Sequence, residues 1–190
     1  MNMISEKMSP SATNLIRADH TKVMAAFHKY RADTEPGTKR ALVNTICLSL
    51  EIHAQVEEEI FYPAVRNIDP GMVEKNLPEH EEMRGLISQL RHMEPTDAEY
   101  DSTLMALMRD VIHHVADEET TLLPEAEKLL GDSRVSELGS QMMKRKLELM
   151  MPHAGEIAAN AARAMPASTM LMTAGALLAG SYLLRHAFRR

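Results

Sequence analysis

The chain has 190 residues, 45% hydrophobic but only 4% aromatic, with no tryptophan, 16 methionines, nine histidines and a formal charge of −6 at pH 7. That length suits one sizeable core with an appendage, and the scarcity of aromatic residues beside abundant methionine favours helices over sheets. The acidic balance argues against a basic nucleic-acid-binding face, and the single Cys47 excludes an internal disulfide framework and a thiolate-rich zinc site.

Residues 1–10 are polar, end on Pro10 and read as a frayed start without the charged-then-apolar pattern of an export signal. A helix is predicted from Ser11 or Thr13 to about Asp33. Glu35-Pro36-Gly37-Thr38 turns the chain, and a second long helix spans about Lys39 to Asn67, stopped by Asp69-Pro70-Gly71. Pro78 suits the first turn of a third helix that ends near Met93. Thr96-Asp97-Ala98-Glu99 has capping-box spacing, which predicts a fourth helix from about Asp97 through His114, bent or ended by Pro124 before Gly131. Short loops make this an all-α, up-down-up-down four-helix bundle over residues 11–130. A further helix from about Asp132 to Met151 and an Ala-rich connector, together residues 131–163, form a C-terminal helical extension. Residues 164–190 are an apolar tail closed by RHAFRR, long enough for a membrane anchor, although Pro166 and the many small residues also suit a docking or oligomerising helix. The expected location is a cytoplasmic bundle held at a membrane by that tail.

Two segments carry the chemistry. HAQVEEEIFYP, His53 to Pro63, and HVADEETTLLP, His114 to Pro124, share a histidine, a glutamate four residues on and a proline ten residues on. Positions i and i+4 lie on one helix face, so His53 stacks with Glu57 among Ile46, Leu50 and Ala64, and His114 with Glu118 among Leu107, Val111 and Leu122. His20 lies among Ile16, Val23 and Phe27, and His80 among Met83, Ile87 and Leu90, so each helix turns one histidine toward the core. Any one of these histidines alone reads as a hydrogen-bonded core imidazole. Four imidazoles and two carboxylates buried together are costly unless something satisfies them, and a pair of cations does so. The zinc-protease order HExxH is absent, because Ala54 and Val115 follow the two histidines, and the ferritin-like ExxH order is reversed. Glu58, Glu59 and Glu119 read as solvated or as partners standing behind the ligands. His28, His92, His113 and His153 read as surface histidines, and Cys47 as a small core residue.

Asp19-His20, HAQVEEEIFYP, the Glu79-His80 start of EHEEM and HHVADEETTLLP, in that order, resemble the hemerythrin-like (HHE cation-binding) proteins over roughly residues 11–130. The resemblance implies a four-helix bundle around a non-haem di-iron centre, with His20, His53, His80 and His114 as terminal iron ligands and Glu57 and Glu118 as bridges. Whether His20 pairs with His53 or with His80 is open at this stage, and Glu81 is a candidate for an extra carboxylate. The oxygen-carrying hemerythrins have a second histidine on the third helix where this chain has Arg84, which leaves more room on the metals. The expected cofactor is two iron ions, with manganese or zinc as alternatives. The expected function is binding of oxygen, nitric oxide or a related small ligand for storage, transport or sensing. Alternatives are a peroxide-consuming enzyme that protects against oxidative stress and an iron-handling protein. Expected partners are the small ligand, no nucleic acid, and a membrane, protein or second copy met through the tail.

Overall fold

The structure is a computed structural model and describes residues 10–67 and 70–164; all regular structure among them is helical. Helix α1 (Ala12–Lys29) starts where the Ser11 hydroxyl accepts from the Asn14 N–H, and it ends as Tyr30 turns to extended backbone, before the Asp33 expected. Helix α2 (Pro36–Val56) starts earlier than expected: the Glu35 carboxylate accepts from the Gly37 and Thr38 N–H groups, and Pro36 fills the first turn, where no N–H is needed. Helix α4 (Asn76–His92) carries Pro78 in its first turn, as predicted. Helix α5 (Tyr100–Asp117) starts three residues later than the capping-box spacing suggests, because the Asp97 carboxylate accepts from the Glu94 N–H and closes a turn instead of capping the helix.

Neither proline of the repeated segments ends its helix. After α2 the backbone widens into a π turn, Glu57–Phe61, and continues as α3 (Tyr62–Arg66); after α5 it widens again, Glu118–Leu122, and continues as α6 (Leu123–Met150). The Tyr62 N–H reaches back to the Glu57 carbonyl and the Leu123 N–H to the Glu118 carbonyl, each five residues away. Proline cannot donate to the carbonyl four residues before it. The π turn ahead of each proline moves the hydrogen-bond ladder by one residue there, so the helix passes through. Helix α6 breaks at Gly131, the one described residue with a positive φ (71°), which ends the fourth bundle helix where expected and starts the extension. A short 3-10 turn, Met151–His153, leads to α7 (Ala154–Ala164).

Two apolar clusters form the core. One gathers Ile16, Ile52, Phe61, Val65, Leu123 and Leu138; the other gathers Phe27, Ile46, Leu90, Leu104, Leu107 and Val111. Cys47 is in the second, its thiol pushed up to about 12 by burial, as suits a packing residue. The extension is part of this packing: Val135, Leu138 and Met142 of α6 are buried against α1 and α2, and α7 lies along α2. Gly139 makes the close approach to α1, since a Cβ there would sit 2.1 Å from the Pro10 carbonyl oxygen and 2.7 Å from the Ala12 nitrogen. Gly139→Ala is therefore expected to cost about 2–3 kcal/mol, the usual penalty of overpacking against backbone. Thermal unfolding should show a lower midpoint, and an unchanged midpoint would mean that this contact holds nothing. Among the described residues no helix is long and apolar enough to cross a membrane. The anchor expected over 164–190 lies, beyond Ala164, outside the described residues, as does the frayed start over 1–9.

Candidate metal centre

The six residues singled out in the sequence meet in a polar layer around the bundle axis. His20 comes from α1, His53 from α2, His80 from α4 and His114 from α5, and Glu57 and Glu118 each open a π turn. All six are at most 7% exposed, and both glutamates are fully buried. The histidines fall into two pairs, His20 with His53 (ring centroids 4.9 Å apart) and His80 with His114 (4.7 Å), whereas His53 and His80 are 6.5 Å apart. His20, His53, Glu57 and Glu118 offer donor atoms within 4.8 Å of one another, and so do Glu57, His80 and His114. His20 therefore stands with His53 rather than with His80, and Glu57 stands in both groups. Glu118 also reaches both pairs, with Oε2 3.3 Å from His20 Nε2 and 3.5 Å from His114 Nε2.

The outward nitrogen of three rings is held by a carboxylate, and the fourth ring has one within ion-pair distance. His20 Nδ1 is 2.9 Å from Glu119, His80 Nδ1 is 2.8 Å from Glu58, His114 Nδ1 is 2.9 Å from Glu79, and His53 Nδ1 is 4.0 Å from Asp19. With Nδ1 occupied, Nε2 of His20, His80 and His114 is turned inward, the arrangement that fixes tautomer and ring orientation in metal sites. These four carboxylates were not assigned from sequence, although the signal was present: each is the neighbour of a proposed ligand, in Asp19-His20, Glu57-Glu58, Glu79-His80 and Glu118-Glu119. Glu59 goes elsewhere, to Arg145 at 2.6 Å. Glu81 is no ligand here: its side chain is 79% exposed and faces Arg84 at 3.4 Å. Arg84 itself makes two 2.7 Å bonds to Glu58, so it braces the carboxylate behind His80. His28, His92 and His113 are exposed, and His153 is half-buried 3.3 Å from Glu156.

Tyr62 and Asn76 close one side of the layer. The Tyr62 hydroxyl donates to Glu118 at 2.8 Å and lies 3.3 Å from both Glu57 and His80 Nε2, while the Asn76 amide donates to Glu118 at 3.2 Å. Burial, and then the Glu118 charge, pushes the Glu57 carboxyl well above the usual carboxylate range. Burial pushes Glu118 the same way, but His20, His114 and the Tyr62 hydroxyl outweigh it and hold Glu118 below that range. Burial drives His53 well below the ordinary histidine range and lowers His80 and His114 against the pull of Glu58 and Glu118. Burial acts the same way on His20, but Glu118, Glu57 and Glu119 outweigh it and raise that imidazole.

Four buried atoms at the centre have no hydrogen-bond partner: His20 Nε2, His53 Nε2, Glu57 Oε1 and Glu118 Oε2. A buried polar atom left unpaired costs about 1–3 kcal/mol, and more if charged. Nitrogen and carboxylate donors without sulfur, converging in two groups that share a glutamate, are what a pair of transition-metal cations would satisfy. A small cavity, which Tyr62 does not line, reaches the four imidazoles between Val23, Leu50, Met83 and Val111.

The sequence model of the Hemerythrin HHE cation binding domain matches residues 11–126. The chain belongs to this family. As a hemerythrin HHE protein it is metal-binding, which accounts for a polar layer that no helix bundle needs for its own packing. An HHE domain-containing protein from Mycobacterium kansasii has a similar structure, with TM-score 0.68 at 18% identity over 82% of this chain and 99% of that one. A hemerythrin-like protein from Schizosaccharomyces pombe is 23% identical over 150 residues, 77% of this chain and 73% of that protein. A DNA nickase from Nostoc sp. is 26% identical over 153 residues, which is 80% of this chain but only 44% of the nickase. Outside the matched residues 11–126, the hemerythrin HHE bundle of this chain carries the helical extension that packs on α1 and α2.

Proposed function

We propose that His20, His53, His80 and His114 with Glu57 and Glu118 hold two iron ions, and that this di-iron centre binds oxygen, nitric oxide or a similarly small ligand. The observation that carries the reading is the cavity that ends on the four imidazoles: its walls of Val23, Leu50, Ala54, Met83, Ile87 and Val111 suit an apolar diatomic molecule. In this arrangement each histidine supplies a metal ligand through Nε2, and for His20, His80 and His114 a carboxylate partner keeps Nδ1 protonated. Glu57 and Glu118 stand between the two histidine pairs, where a carboxylate can serve both metals. Bound iron supplies reversible electron transfer to the ligand. Tyr62 and Asn76 donate to Glu118 and hold its carboxylate in place.

A second reading, consumption of hydrogen peroxide, is favoured by the Tyr62 hydroxyl, because peroxide reduction needs protons and this O–H is directed into the layer 2.8 Å from Glu118. The experiment is metal analysis of the protein grown with iron and purified without oxygen, followed by optical spectra on adding oxygen, nitric oxide and peroxide in turn. Two irons per chain and a reversible spectral change with the gases support the binder; sustained loss of peroxide supports the enzyme. His114→Ala is expected to lose metal and His113→Ala to keep it, since the first is buried in the layer and the second exposed. Full metal content in His114→Ala would overturn the ligand set.

A further inference from the structure

A second cavity opens where the extension closes on the bundle. It lies between α1 (Asp19, Lys22, Val23), α2 (Thr45, Leu48, Ser49, Ile52), α6 (Lys146, Met150) and α7 (Ile157, Asn160). Most of the surface it exposes is apolar, as in sites for small molecules.

Its polar groups are the Asp19 carboxylate, the Lys22 and Lys146 ammonium groups, the Thr45 and Ser49 hydroxyls and the Asn160 amide. Asn160, which lines the cavity, is 2% exposed, and its Nδ2 is buried without a hydrogen-bond partner. Lys146 pairs with Asp19 and keeps two N–H groups free of that bond, while Lys22 stands 3.7 Å from the same carboxylate. The Thr45 and Ser49 hydroxyls spend their hydrogens on the carbonyls of Ala41 (2.8 Å) and Thr45 (2.7 Å). Two ammonium groups against one carboxylate leave a net positive charge beside an unpaired amide donor. A buried amide without a partner is a destabilising feature that packing does not require, because any aliphatic residue would fill that place on α7 more favourably.

We propose that this cavity is a binding site for a small monocarboxylate with an apolar body. The carboxylate accepts from Asn160 Nδ2 and from Lys146, and the body lies against Leu48, Ile52, Met150 and Ile157. Charge complementarity selects an acid over an alcohol of the same length, and the aliphatic walls select a chain over a bare carboxylate. The site rests on the extension and not on the metal, so it can be tested on the full chain with or without iron.

The test is calorimetric titration of the full chain with octanoate, 1-octanol and acetate, with methyl-resolved NMR to locate the binding. Saturable one-to-one binding of octanoate is expected, at least about tenfold tighter than 1-octanol, with acetate undetectable. Asn160→Leu should weaken octanoate about tenfold and leave 1-octanol unchanged or tighter. Should that variant fail to fold, the wild-type spectra still decide: shifts centred on the methyls of Ile52, Ile157 and Leu48 support the site, and shifts centred elsewhere overturn it. No saturable binding, or equal affinity for acid and alcohol, also overturns it.

Discussion

Iron loading is expected to raise the unfolding midpoint of this protein by roughly 8–16 °C. A ligand that binds only the folded chain stabilises it by about 4 kcal/mol at a thousandfold excess over its Kd. For a chain of this size each kcal/mol is about 2–4 °C. The physical source is the polar layer. Two fully buried carboxylates stand against four imidazoles, and four of the central atoms have no hydrogen-bond partner. Such a layer works against the two apolar clusters that flank it, and a cation pair turns its electrostatic cost into attraction. Differential scanning calorimetry with and without a chelator measures the difference directly. Equal midpoints at verified two-iron occupancy would mean that the layer is already satisfied by its own contacts.

Carboxylate substitutions are expected to fall into three classes of metal affinity. Glu57→Gln and Glu118→Gln should each lower it by far more than a hundredfold, because each oxygen pair lies within reach of both histidine pairs and the amide that replaces it bridges poorly. Glu58→Gln, Glu79→Gln and Glu119→Gln should each cost about 10–100-fold, the usual effect of losing the partner that orients a ligating histidine. Glu59→Gln and Glu81→Gln should change nothing, since their side chains face Arg145 and Arg84. Competition against a chelator of known affinity ranks the seven variants. Full iron content in Glu118→Gln, or a loss in Glu81→Gln as large as in Glu57→Gln, would sink the assignment of bridges.

Most of the bundle was legible because its signals are local. Glu35-Pro36 at a helix start, Pro78 in a first turn and Gly131 at a stop each act within a few residues, and the inward histidines follow from a period that any helix must obey. Thr96 to Glu99 misled for an equally local reason, since Asp97 found a nearer N–H than the one a capping box would offer it. The π turns were not legible: the prolines marked a disturbance, but whether a helix ends or widens depends on what packs on either side. The carboxylates behind the histidines were legible as residues but not as roles. Asp19 precedes His20 in the chain but approaches His53, and Glu79 precedes His80 but bonds to His114, so adjacency in sequence does not give the partner.

That crossed pattern has an order of its own. In each half the acidic residue before the first histidine faces the second histidine, and the residue after the buried glutamate holds a histidine of the other half, Glu58 to His80 and Glu119 to His20. The pattern is the same in both halves, and one of its contacts is uneven: Glu79 is 2.9 Å from His114, whereas Asp19 is 4.0 Å from His53 and is engaged by Lys146. Lys146 belongs to the extension, which has no counterpart in the first half of the chain. A helix added outside the bundle thereby makes two otherwise equivalent positions chemically distinct, and gives a symmetric scaffold a strong and a weak end.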